Sequence, residues 1–375
     1  MRILICAGEA SGDIHAAAVI REVQKQKPGT LFHGIAGENM NRAGCQELVP
    51  IDQLNVMGLT DVFTALPRIH RAEKLIVEWV KAHQPDVAIL VDYPGFHMHL
   101  GVRLRRLGIP VLQYIAPKLW SWGGWRARRL ARSQDRLACI LPFESEWFFQ
   151  RGITAEYVGN PTAETSQGGW ARDELCRRYA LKSDKPILAL LPGSRPGEIQ
   201  RHVPIMAEVV DGARMLLPEV QVVVPRAPGV HESSLRHLTD MHVVPIDRMT
   251  EGYALRVDAA AAVSGTATLE LALWDVPTVL IYRSTALTIA IARMLANVDC
   301  IGLANILLGQ RAVMPELIQN DCTPENILTH LVPLLRNEAE ARHQRRAFIE
   351  LRQILGGKHA ASEVARIAIS LAKKS

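Results

Sequence analysis

The chain has 375 residues, of which 48% are hydrophobic, so two domains with separate cores are expected. Its formal net charge is +5, and the basic excess is concentrated between Arg126 and Arg136. This predicts a local basic face rather than a general nucleic-acid binder. Six cysteines without CxxC or CxH spacing indicate reduced cytosolic thiols and no zinc site. No apolar run reaches about 18 residues, so no membrane span is predicted, although the chain can still lie on a membrane.

The chain opens with an apolar strand, residues 2–7, and a turn at residues 8–13 that precedes a helix from Ile14. The turn holds two glycines and two acids, Glu9 and Asp13. Because carboxylates repel phosphate, this turn is better suited to the hydroxyl groups of a sugar acceptor. The alternative is a tight structural turn with Asp13 near a helix start. His15 follows and either faces the same cleft or is structural.

A second region combines apolar residues at helical spacing with bases. Val62, Phe63, Leu66 and Ile69 form the apolar face, and Arg68, His70, Arg71 and Lys74 lie close by in the sequence. This pattern is typical of a helix on an anionic membrane surface. It is also typical of an amphipathic helix that packs on the sheet of its own domain. The pattern alone slightly favours this second interpretation.

The apolar run 85–91 predicts a buried strand that ends at Asp92, followed by Tyr93-Pro94-Gly95. A carboxylate at the carboxyl end of a parallel strand faces the ligand crevice of a doubly wound sheet. Burial beside aromatic residues would raise its pKa towards a range useful for a general base. The alternative is that Asp92 caps the next helix.

Three tryptophans, Trp120, Trp122 and Trp125, lie within six residues of a predicted loop, next to an arginine cluster at residues 126–129. This spacing does not match a helical core stripe. It favours a wall that stacks on a sugar or acyl chain, or an interfacial anchor. A nucleic-acid surface would need a matching module, and the sequence contains none.

The second half carries a buried strand, residues 187–191, that ends in Pro192-Gly193-Ser194-Arg195. A glycine turn, a hydroxyl, a guanidinium and a helix N-terminus together predict a diphosphate site. The turn is neither a Walker loop nor a GxGxxG, so an ordinary strand-to-helix turn with a solvated arginine is the alternative. The following helix is predicted from Glu198, with a break at Pro204.

Another strand, residues 259–263, ends in the hydroxyl-rich turn Ser264-Gly265-Thr266 and opens a helix that carries Glu270. Glu270 lies about one and a half turns into that helix, a position suited to ribose hydroxyls rather than phosphate. Further along, Asn305 is the one polar residue in an apolar run, so it has a partner or faces a ligand. Residues 315–319 are predicted to start a helix.

Strands alternate with helices in both halves, which predicts an α/β fold of two Rossmann-like, doubly wound domains facing across a cleft. Gly159-Asn160-Pro161 is the predicted hinge. We expect an N-terminal domain over residues 1–160 and a C-terminal domain over residues 161–340. Terminal helices over residues 341–375 are expected to return to the first domain, with a partner chain as the alternative.

Two such domains describe the GT-B glycosyltransferase architecture, and short motifs make the resemblance more specific. The sequence resembles the lipid A disaccharide synthase family in motifs that run in order to about residue 325: Ala7-Gly-Glu-Ala-Ser-Gly-Asp13, Val56-Met-Gly58, Asp92-Tyr-Pro94, Ala116-Pro-Lys-Leu-Trp-Ser-Trp122, Leu141-Pro-Phe-Glu144, Leu190-Leu-Pro-Gly-Ser-Arg195, Ser264-Gly-Thr266, Leu269-Glu270, Asn305-Ile-Leu-Leu308 and Pro315-Glu-Leu317.

The resemblance implies an inverting sugar transfer. UDP-2,3-diacylglucosamine would donate its sugar to 2,3-diacylglucosamine 1-phosphate (lipid X), giving UDP and the β-1,6-linked disaccharide 1-phosphate. It also implies a cytoplasmic protein bound peripherally to the inner membrane, where the apolar face at Val62, Phe63, Leu66 and Ile69 would make contact. No metal or other cofactor and no nucleic acid are implied. Acyl-chain length and oligomeric state stay open, a homodimer included.

The resemblance also implies roles for individual residues. Asp92 would deprotonate the acceptor 6-hydroxyl. The acceptor side would be lined by Glu9, Ser11, Asp13, His15, Trp120 and Trp122. The nucleotide side would be formed by Ser194, Arg195, Ser264, Gly265, Thr266, Glu270, Asn305, Glu316 and Gln319. Two neighbours depart from the family pattern, with His97 in place of the usual Asn and Ala304 in place of the expected Pro.

Two other functions fit the architecture. A UDP-N-acetylglucosamine 2-epimerase would need acid and base groups around C2 and no acyl-binding surface, and the aromatic and amphipathic segments argue against it. A non-catalytic nucleotide-sugar-binding peripheral protein would bind UDP without transferring sugar. Release of UDP that depends on lipid X would exclude both.

Overall fold

The computed structural model describes residues 1–54, 61–166, 168–227, 229–248, 253–285 and 299–372; for residues 61–65 it describes the backbone alone. The chain divides into two compact units. Unit 1 contains Met1–Pro161 together with Gly357–Ser375, and unit 2 contains Thr162–Gly356. The division follows the predicted hinge at Gly159-Asn160-Pro161.

Unit 1 is built on a seven-stranded parallel sheet of order β3-β2-β1-β4-β5-β6-β7. Every residue of the fourth strand is buried, as expected for a parallel sheet covered on both faces. The seven strands are β1 Arg2–Ala7, β2 Leu31–Ala36, β3 Cys45–Pro50, β4 Val87–Val91, β5 Val111–Tyr114, β6 Arg136–Cys139 and β7 Ala155–Tyr157.

Helices connect these strands and cover the sheet. Up to the hinge they are α1 Ala10–Gln26, α2 Glu38–Arg42, α3 Asp61–His83, α4 Pro94–Arg106, α5 Ala127–Ser133 and α6 Pro142–Phe149. Helix α7, Pro161–Thr165, begins at the hinge and continues into unit 2. The first helix begins at Ala10, four residues earlier than predicted, so most of the predicted turn belongs to its first turns. Pro67 lies inside the third helix without ending it.

Unit 2 is built on a six-stranded parallel sheet of order β10-β9-β8-β11-β12-β13. Taken in chain order within the unit, this is the 3-2-1-4-5-6 arrangement of a dinucleotide-binding fold. Its strands are β8 Ile187–Leu191, β9 Gln221–Arg226, β10 Val244–Asp247, β11 Ala259–Val263, β12 Thr278–Tyr282 and β13 Glu316–Ile318.

The described helices of unit 2 correct two predictions. One helix runs from Pro196 to Leu216 straight through Pro204, and the segment after Pro315 is strand β13 rather than a helix start. The helices are α8 Arg172–Arg178, α9 Pro196–Leu216, α10 Arg236–Thr239, α11 Thr266–Leu273, α12 Leu303–Leu307, α13 Pro324–Leu335 and α14 Ala339–Leu355.

The terminal segment predicted over residues 341–375 is divided between the units. Helix α14 stays in unit 2, whereas the last helix, α15 Ala360–Ala372, belongs to unit 1 and packs against α1. Its buried residues Val364, Ala365 and Ala368 join the core beneath the first strand. Gln26 of α1 donates a side-chain hydrogen bond of 3.2 Å to the carbonyl of Ser362.

A helix that spans a bilayer must be both long and predominantly apolar. None of the described helices combines a length and an apolar character sufficient to cross a membrane.

Candidate active site

In unit 1 the candidate site lies where the strand order reverses. Strands β1 and β4 are neighbours, with Ala7 opposite Val91, so the turns that follow them start side by side at the carboxyl edge of the sheet. Doubly wound sheets bind their ligands at this position. The topology therefore brings the predicted acceptor turn and Asp92 together.

Asp92 occupies a strained turn directly after β4. Asp92 and Tyr93 have φ values of +52° and +48°, a left-handed conformation that residues other than glycine rarely adopt. The N-cap of α4 is Tyr93, so Asp92 is not the helix cap that the alternative interpretation required. Its carboxylate is half-buried at the sheet edge.

Burial raises the pKa of Asp92 above its ordinary value, and the Tyr93 backbone and the charge of Lys118 partly oppose this shift. A carboxylate with a raised pKa is a stronger base than a solvated one while it is ionised. Asp92 thus lies at the ligand edge of the sheet, with its pKa shifted in the direction that favours a general base.

The ring of Tyr93 fixes the turn against β1. A side chain at Gly8 would overlap that ring, so glycine is required there by close approach. The Tyr93 hydroxyl donates a 2.8 Å hydrogen bond to the carbonyl of Leu54. The two turns at the switch point are thereby packed directly on each other.

The acceptor residues predicted around α1 separate into two groups. Glu9 and Ser11 are exposed, and His15 is half-buried with its ring centre 6.4 Å from that of Tyr114 in an edge-to-face arrangement. Burial lowers the pKa of His15, which favours the neutral imidazole at neutral pH.

Asp13 corrects the prediction of an acceptor contact. It is 3% exposed, and its carboxylate accepts hydrogen bonds of 2.9 to 3.1 Å from the backbone of Gly37, Asn39 and Met40 and from the Asn39 side chain. Both oxygens are therefore engaged in holding the start of α2. A carboxylate with both oxygens hydrogen-bonded in this way has a structural role. This agrees with the alternative interpretation, in which Asp13 is part of a structural turn near a helix start.

The tryptophan loop also differs from the expected aromatic wall. Trp120 is buried, and its Nε1 donates a 2.9 Å hydrogen bond to the carboxylate of Glu144. Trp120 is therefore a core residue rather than a sugar-stacking surface. Trp122 is 50% exposed with the Arg126 guanidinium 4.4 Å from its ring, and Trp125 is 78% exposed. The exposed aromatic surface thus consists of Trp122 and Trp125.

The predicted membrane-contact face lies on α3. Leu66 is 52% exposed, whereas Ile69 is partly buried against the core of unit 1. The side chains of Val62 and Phe63 lie outside the described residues. Further along the same helix Ala72, Ile76 and Val80 are fully buried. From Ile69 onward α3 therefore packs on the sheet, as the alternative interpretation held.

In unit 2 the predicted diphosphate turn forms a cradle of N–H groups. Gly193 has φ +107°, and the backbone N–H groups of Ser194 and Arg195 donate to Glu198 Oε2 at 3.2 and 3.3 Å. The Arg195 side chain is 83% exposed and lies 3.2 Å from Glu198 Oε1. The Glu198 carboxylate thus occupies this cradle as part of a capping box at the N-terminus of α9, where the helix end favours negative charge.

The second hydroxyl-rich turn starts beside this cradle, because β8 and β11 are neighbours and Leu191 lies opposite Ala262. Gly265 is the N-cap of α11, and Thr266 is exposed at its first position. Strand order in unit 2 reverses at this pair, as it does at β1 and β4 in unit 1. The geometry therefore brings both predicted nucleotide turns to one edge.

Glu270 is half-buried in α11 and paired with Arg248. Burial raises the pKa of Glu270, while the Arg248 charge and hydrogen bond oppose the shift. Arg248 follows β10 and also lies 5.6 Å from the centre of the Tyr253 ring. Arg248 was not among the predicted site residues. Its position directly after the carboxyl end of a strand is the feature that could have indicated it.

Two further predicted nucleotide residues, Asn305 and Glu316, hold loops in place. Asn305 is fully buried and exchanges two hydrogen bonds with the Met314 backbone, and it donates a third to Glu316. Glu316 also accepts from the backbone of Ile301 and Gly302. Their polar groups therefore join α12 and the loop before it to the segment that leads into β13.

Ser264 and Gln319 extend this network. The Ser264 hydroxyl donates to the carbonyl of Ile301 at 3.0 Å, which ties the hydroxyl-rich turn to the loop that Glu316 holds. The Gln319 amide exchanges hydrogen bonds of 2.7 and 3.1 Å with the backbone of Ser284. These residues shape the sheet edge, and Ser194, Arg195, Gly265 and Thr266 are exposed there.

Within the part of the chain that the structure describes, no group of three or more His, Cys, Asp or Glu side chains is placed to hold a metal ion. The six cysteines are buried and unpaired, and burial raises the pKa of Cys6 to about 12. A surface pocket of about 710 Å³ lies beside Asp13 and is lined in part by Glu38, Glu47 and Asp52. Its acidic lining is unsuited to phosphate.

Comparison with known proteins gives the chain's family. A model of the family described as Lipid-A-disaccharide synthetase matches residues 3–368. The lipid-A-disaccharide synthase of Anaeromyxobacter sp. (strain K) is 38% identical over 359 residues, which cover 95% of this chain and 93% of that protein.

Solved structures with the same fold include enzymes of two kinds. A putative UDP-N-acetylglucosamine 2-epimerase from Listeria monocytogenes has a TM-score of 0.64 at 13% identity and covers 100% of this chain and 96% of that chain. A glycosyltransferase from Rickettsia africae ESF-5 has a TM-score of 0.57 at 10% identity, with coverages of 100% and 98%. At such identities the likeness shows the GT-B fold alone. The family match spans nearly the whole chain, and the chain belongs to the lipid-A-disaccharide synthase family.

Proposed function

We propose that this chain transfers 2,3-diacylglucosamine from UDP to the 6-hydroxyl of 2,3-diacylglucosamine 1-phosphate, forming the β-1,6 disaccharide 1-phosphate and UDP. The proposal is supported by a family match over residues 3–368. It is also supported by the half-buried carboxylate of Asp92, which lies where the strand order of unit 1 reverses. Transfer with inversion is a single in-line displacement, and it requires one base for the acceptor hydroxyl. The same-fold epimerase alternative has support from the fold alone.

Asp92 is the proposed base. Its raised pKa improves proton abstraction, and its fixed turn holds the carboxylate at the ligand edge of the sheet. Glu9, Ser11, His15 and Trp122 are proposed to line the acceptor side, since Glu9, Ser11 and Trp122 are exposed and His15 is half-buried around the same edge or the neighbouring loop. Asp13 and Trp120 would support this surface from within.

Unit 2 is proposed to bind the UDP moiety. The N–H groups of Ser194 and Arg195 already hold a carboxylate, so a diphosphate that displaces Glu198 would meet the same donors and the Arg195 guanidinium. These donors would also offset the charge that develops on the leaving diphosphate. Gly265 and Thr266 would add the N-terminus of α11.

The ribose would be bound by Glu270, with Arg248 keeping that carboxylate ionised and oriented. Asn305, Glu316 and Gln319 would act on the nucleotide side through the loops they hold. No step of this scheme needs a metal or another cofactor, because the arginine and backbone N–H groups supply the positive potential.

The substrates carry acyl chains, so we propose that the protein works at the inner-membrane surface as a peripheral protein. Exposed Leu66, with the Val62 and Phe63 positions predicted from sequence, would enter the interface beside Arg68 and Arg71, whereas Ile69 packs on the core of unit 1. A Leu66→Glu variant should bind less to anionic vesicles, and unchanged sedimentation with vesicles would contradict this surface. A homodimer remains an open alternative that light scattering can decide.

The test of the reaction is release of UDP from defined lipid substrates by the purified chain. We expect UDP only when the diacylglucosamine donor and lipid X are both present, and a product mass equal to their sum less UDP. Release from the donor alone, or isomerised donor without disaccharide, would contradict the transferase assignment. Donor binding without turnover would favour the non-catalytic alternative.

A further inference from the structure

The backbone carbonyl of Asp92 is held by two side chains. His97 Nδ1 lies 2.7 Å from the carbonyl oxygen, and Gln113 Nε2 donates to the same oxygen at 3.2 Å. Both side chains are buried, at 0% and 2% exposure. A carbonyl oxygen with two lone pairs that receives two buried donors has its hydrogen-bonding capacity filled.

The two donors come from different elements. His97 lies in the first turns of α4, and Gln113 lies within β5. The backbone N–H of Asp92 donates in turn to the carbonyl of Tyr114 at 2.8 Å. Both polar groups of the Asp92 peptide backbone are thus tied to the adjoining strand and helix, across a turn whose left-handed φ values are otherwise unfavourable.

The contact determines the chemical state of His97. Because a carbonyl can only accept, Nδ1 carries the proton. The Nε2 atom is buried and has no hydrogen-bond partner among the described residues. Burial also lowers the pKa of His97 to about 4, so the ring is neutral at neutral pH. A neutral imidazole in this position donates one hydrogen bond and has no bound partner through which to relay a proton.

We propose that His97 and Gln113 are positioning residues for transfer: they hold the Asp92 carbonyl, and through it they hold the strained turn that aims the Asp92 carboxylate at the acceptor hydroxyl. This inference rests on the proposed role of Asp92 as the base. A strained backbone conformation persists where several surrounding contacts fix it, and these two donors are the side chains that hold the Asp92 carbonyl.

Three variants separate donation from packing. His97→Asn keeps a donor nitrogen at the same bond distance from Cβ, His97→Leu keeps apolar bulk without the donor, and Gln113→Met keeps length without the donor. We expect His97→Leu and Gln113→Met to lower kcat about tenfold to a hundredfold with KM nearly unchanged, the cost of misplacing a catalytic group. His97→Asn should stay within about threefold of the parent protein, since its amide donates as the imidazole does.

Phe96→Leu is the matched packing control. Phe96 is buried beside His97, with ring centres 5.5 Å apart, and it makes no hydrogen bond to the Asp92 carbonyl. Thermal unfolding of each variant reports the folded fraction, and UDP affinity reports unit 2. Activity per folded molecule that is unchanged in both His97→Leu and Gln113→Met would overturn the proposal, as would an equal loss in Phe96→Leu.

Asp92→Asn distinguishes failure of this inference from failure of the proposed function. If the positioning residues act through Asp92, adding His97→Leu to Asp92→Asn causes no further loss. A further tenfold loss in the double variant would contradict action through Asp92. Full activity of Asp92→Asn would instead remove the proposed base, whereas inactive Asp92→Asn with active His97→Leu and Gln113→Met would remove the positioning role alone.

Discussion

The two units place their candidate sites at equivalent positions and equip them with opposite chemistry. In unit 1 the turn after β4 displays a carboxylate, Asp92, on two left-handed residues. In unit 2 the turn after β8 uses Gly193 to turn N–H groups towards a bound carboxylate, Glu198. One edge therefore carries a half-buried carboxylate, and the other carries backbone N–H groups that hold one.

The comparison shows that the topology of a doubly wound sheet determines where a site lies. A few turn residues determine which chemical groups that site presents. In unit 1 the left-handed turn needs support from other elements, because its residues carry side chains. In unit 2 a glycine adopts the same sign of φ without that cost. Variants that change the residues of these two turns test whether the two edges have the roles proposed.

The largest loss of activity should follow a change in the proposed diphosphate site of unit 2. Arg195→Ala removes the exposed guanidinium beside the cradle, and we expect kcat/KM to fall about a hundredfold to a thousandfold, as for loss of one charge-stabilising donor. UDP affinity should weaken as well, which calorimetry measures. Arg201→Ala is the matched control, because Arg201 is exposed on the same helix and donates to the Gly197 carbonyl.

The cradle would lose its proposed role if Arg195→Ala bound UDP as the parent protein does. An equal loss in Arg201→Ala would point to general electrostatics of α9 instead. Both variants should unfold at the temperature of the parent protein, since Arg195 is mostly exposed.

The next largest effect concerns the contact between the turns of unit 1. Gly8→Ala forces the Tyr93 ring aside, so we expect about 1–3 kcal/mol of destabilisation from overpacking. Activity should fall with it, since Tyr93 neighbours the base. Gly95→Ala is the control, because nothing lies within 4 Å of a methyl group at that position. Unchanged stability and activity in Gly8→Ala would break the proposed link between the two turns.

A third prediction concerns pH, and it separates buried acids of the two units. Burial raises the pKa of Glu144 in unit 1 to about 7 from a model-compound value of 4.5. A raised folded-state pKa contributes stability that is present below pH 4.5 and is lost as the pH rises through about 7. Glu270 in unit 2 is paired with Arg248, which opposes the same burial effect.

Glu144→Gln should therefore flatten the pH dependence of the free energy of unfolding. We expect the difference between about pH 5 and pH 8 to shrink by about 1–3 kcal/mol, as measured by urea unfolding at both values. The lost hydrogen bond to Trp120 or Leu141 affects both pH values and cancels in this difference. An unchanged pH dependence would show that Glu144 is ordinarily ionised despite its burial.

The smallest effect should follow removal of the carboxylate that occupies the cradle. Glu198→Gln keeps the size of the side chain and frees Arg195 from an exposed ion pair, so UDP should bind about twofold to fivefold more tightly. Stability should fall by about 0.5–1 kcal/mol, because the N-terminus of α9 loses part of its cap. Weaker UDP binding would mean that Glu198 assists the nucleotide rather than competing with it.

The sequence predicted most of the fold because the buried parallel strands are continuous apolar runs that end at turn residues. The bounds of β1, β8 and β11 agree with prediction. Strand β3, Cys45–Pro50, was missed because half of its residues are exposed at the sheet edge. Strand β13 was predicted as a helix start because Pro315 precedes it and a strand of three residues shows no clear period.

The site was predictable in position and less so in detail. Strand ends located Asp92, Arg195 and Thr266 at the two edges, because topology alone brings carboxyl ends together. Spacing could not reveal that Trp120 points into the core towards Glu144, or that Asp13 is bonded to the loop before α2. These facts depend on partners far away in the chain, which local patterns do not encode.

The most direct test of the account measures sugar transfer and UDP affinity in one preparation of Asp92→Asn, with Asp86→Asn as the control from the opposite end of β4. We predict that Asp92→Asn binds UDP like the parent protein and loses at least about a hundredfold in kcat, the contribution of a general base. Asp86→Asn should keep full activity. Transfer by Asp92→Asn at the parent rate would contradict the proposal that this carboxylate takes the acceptor proton.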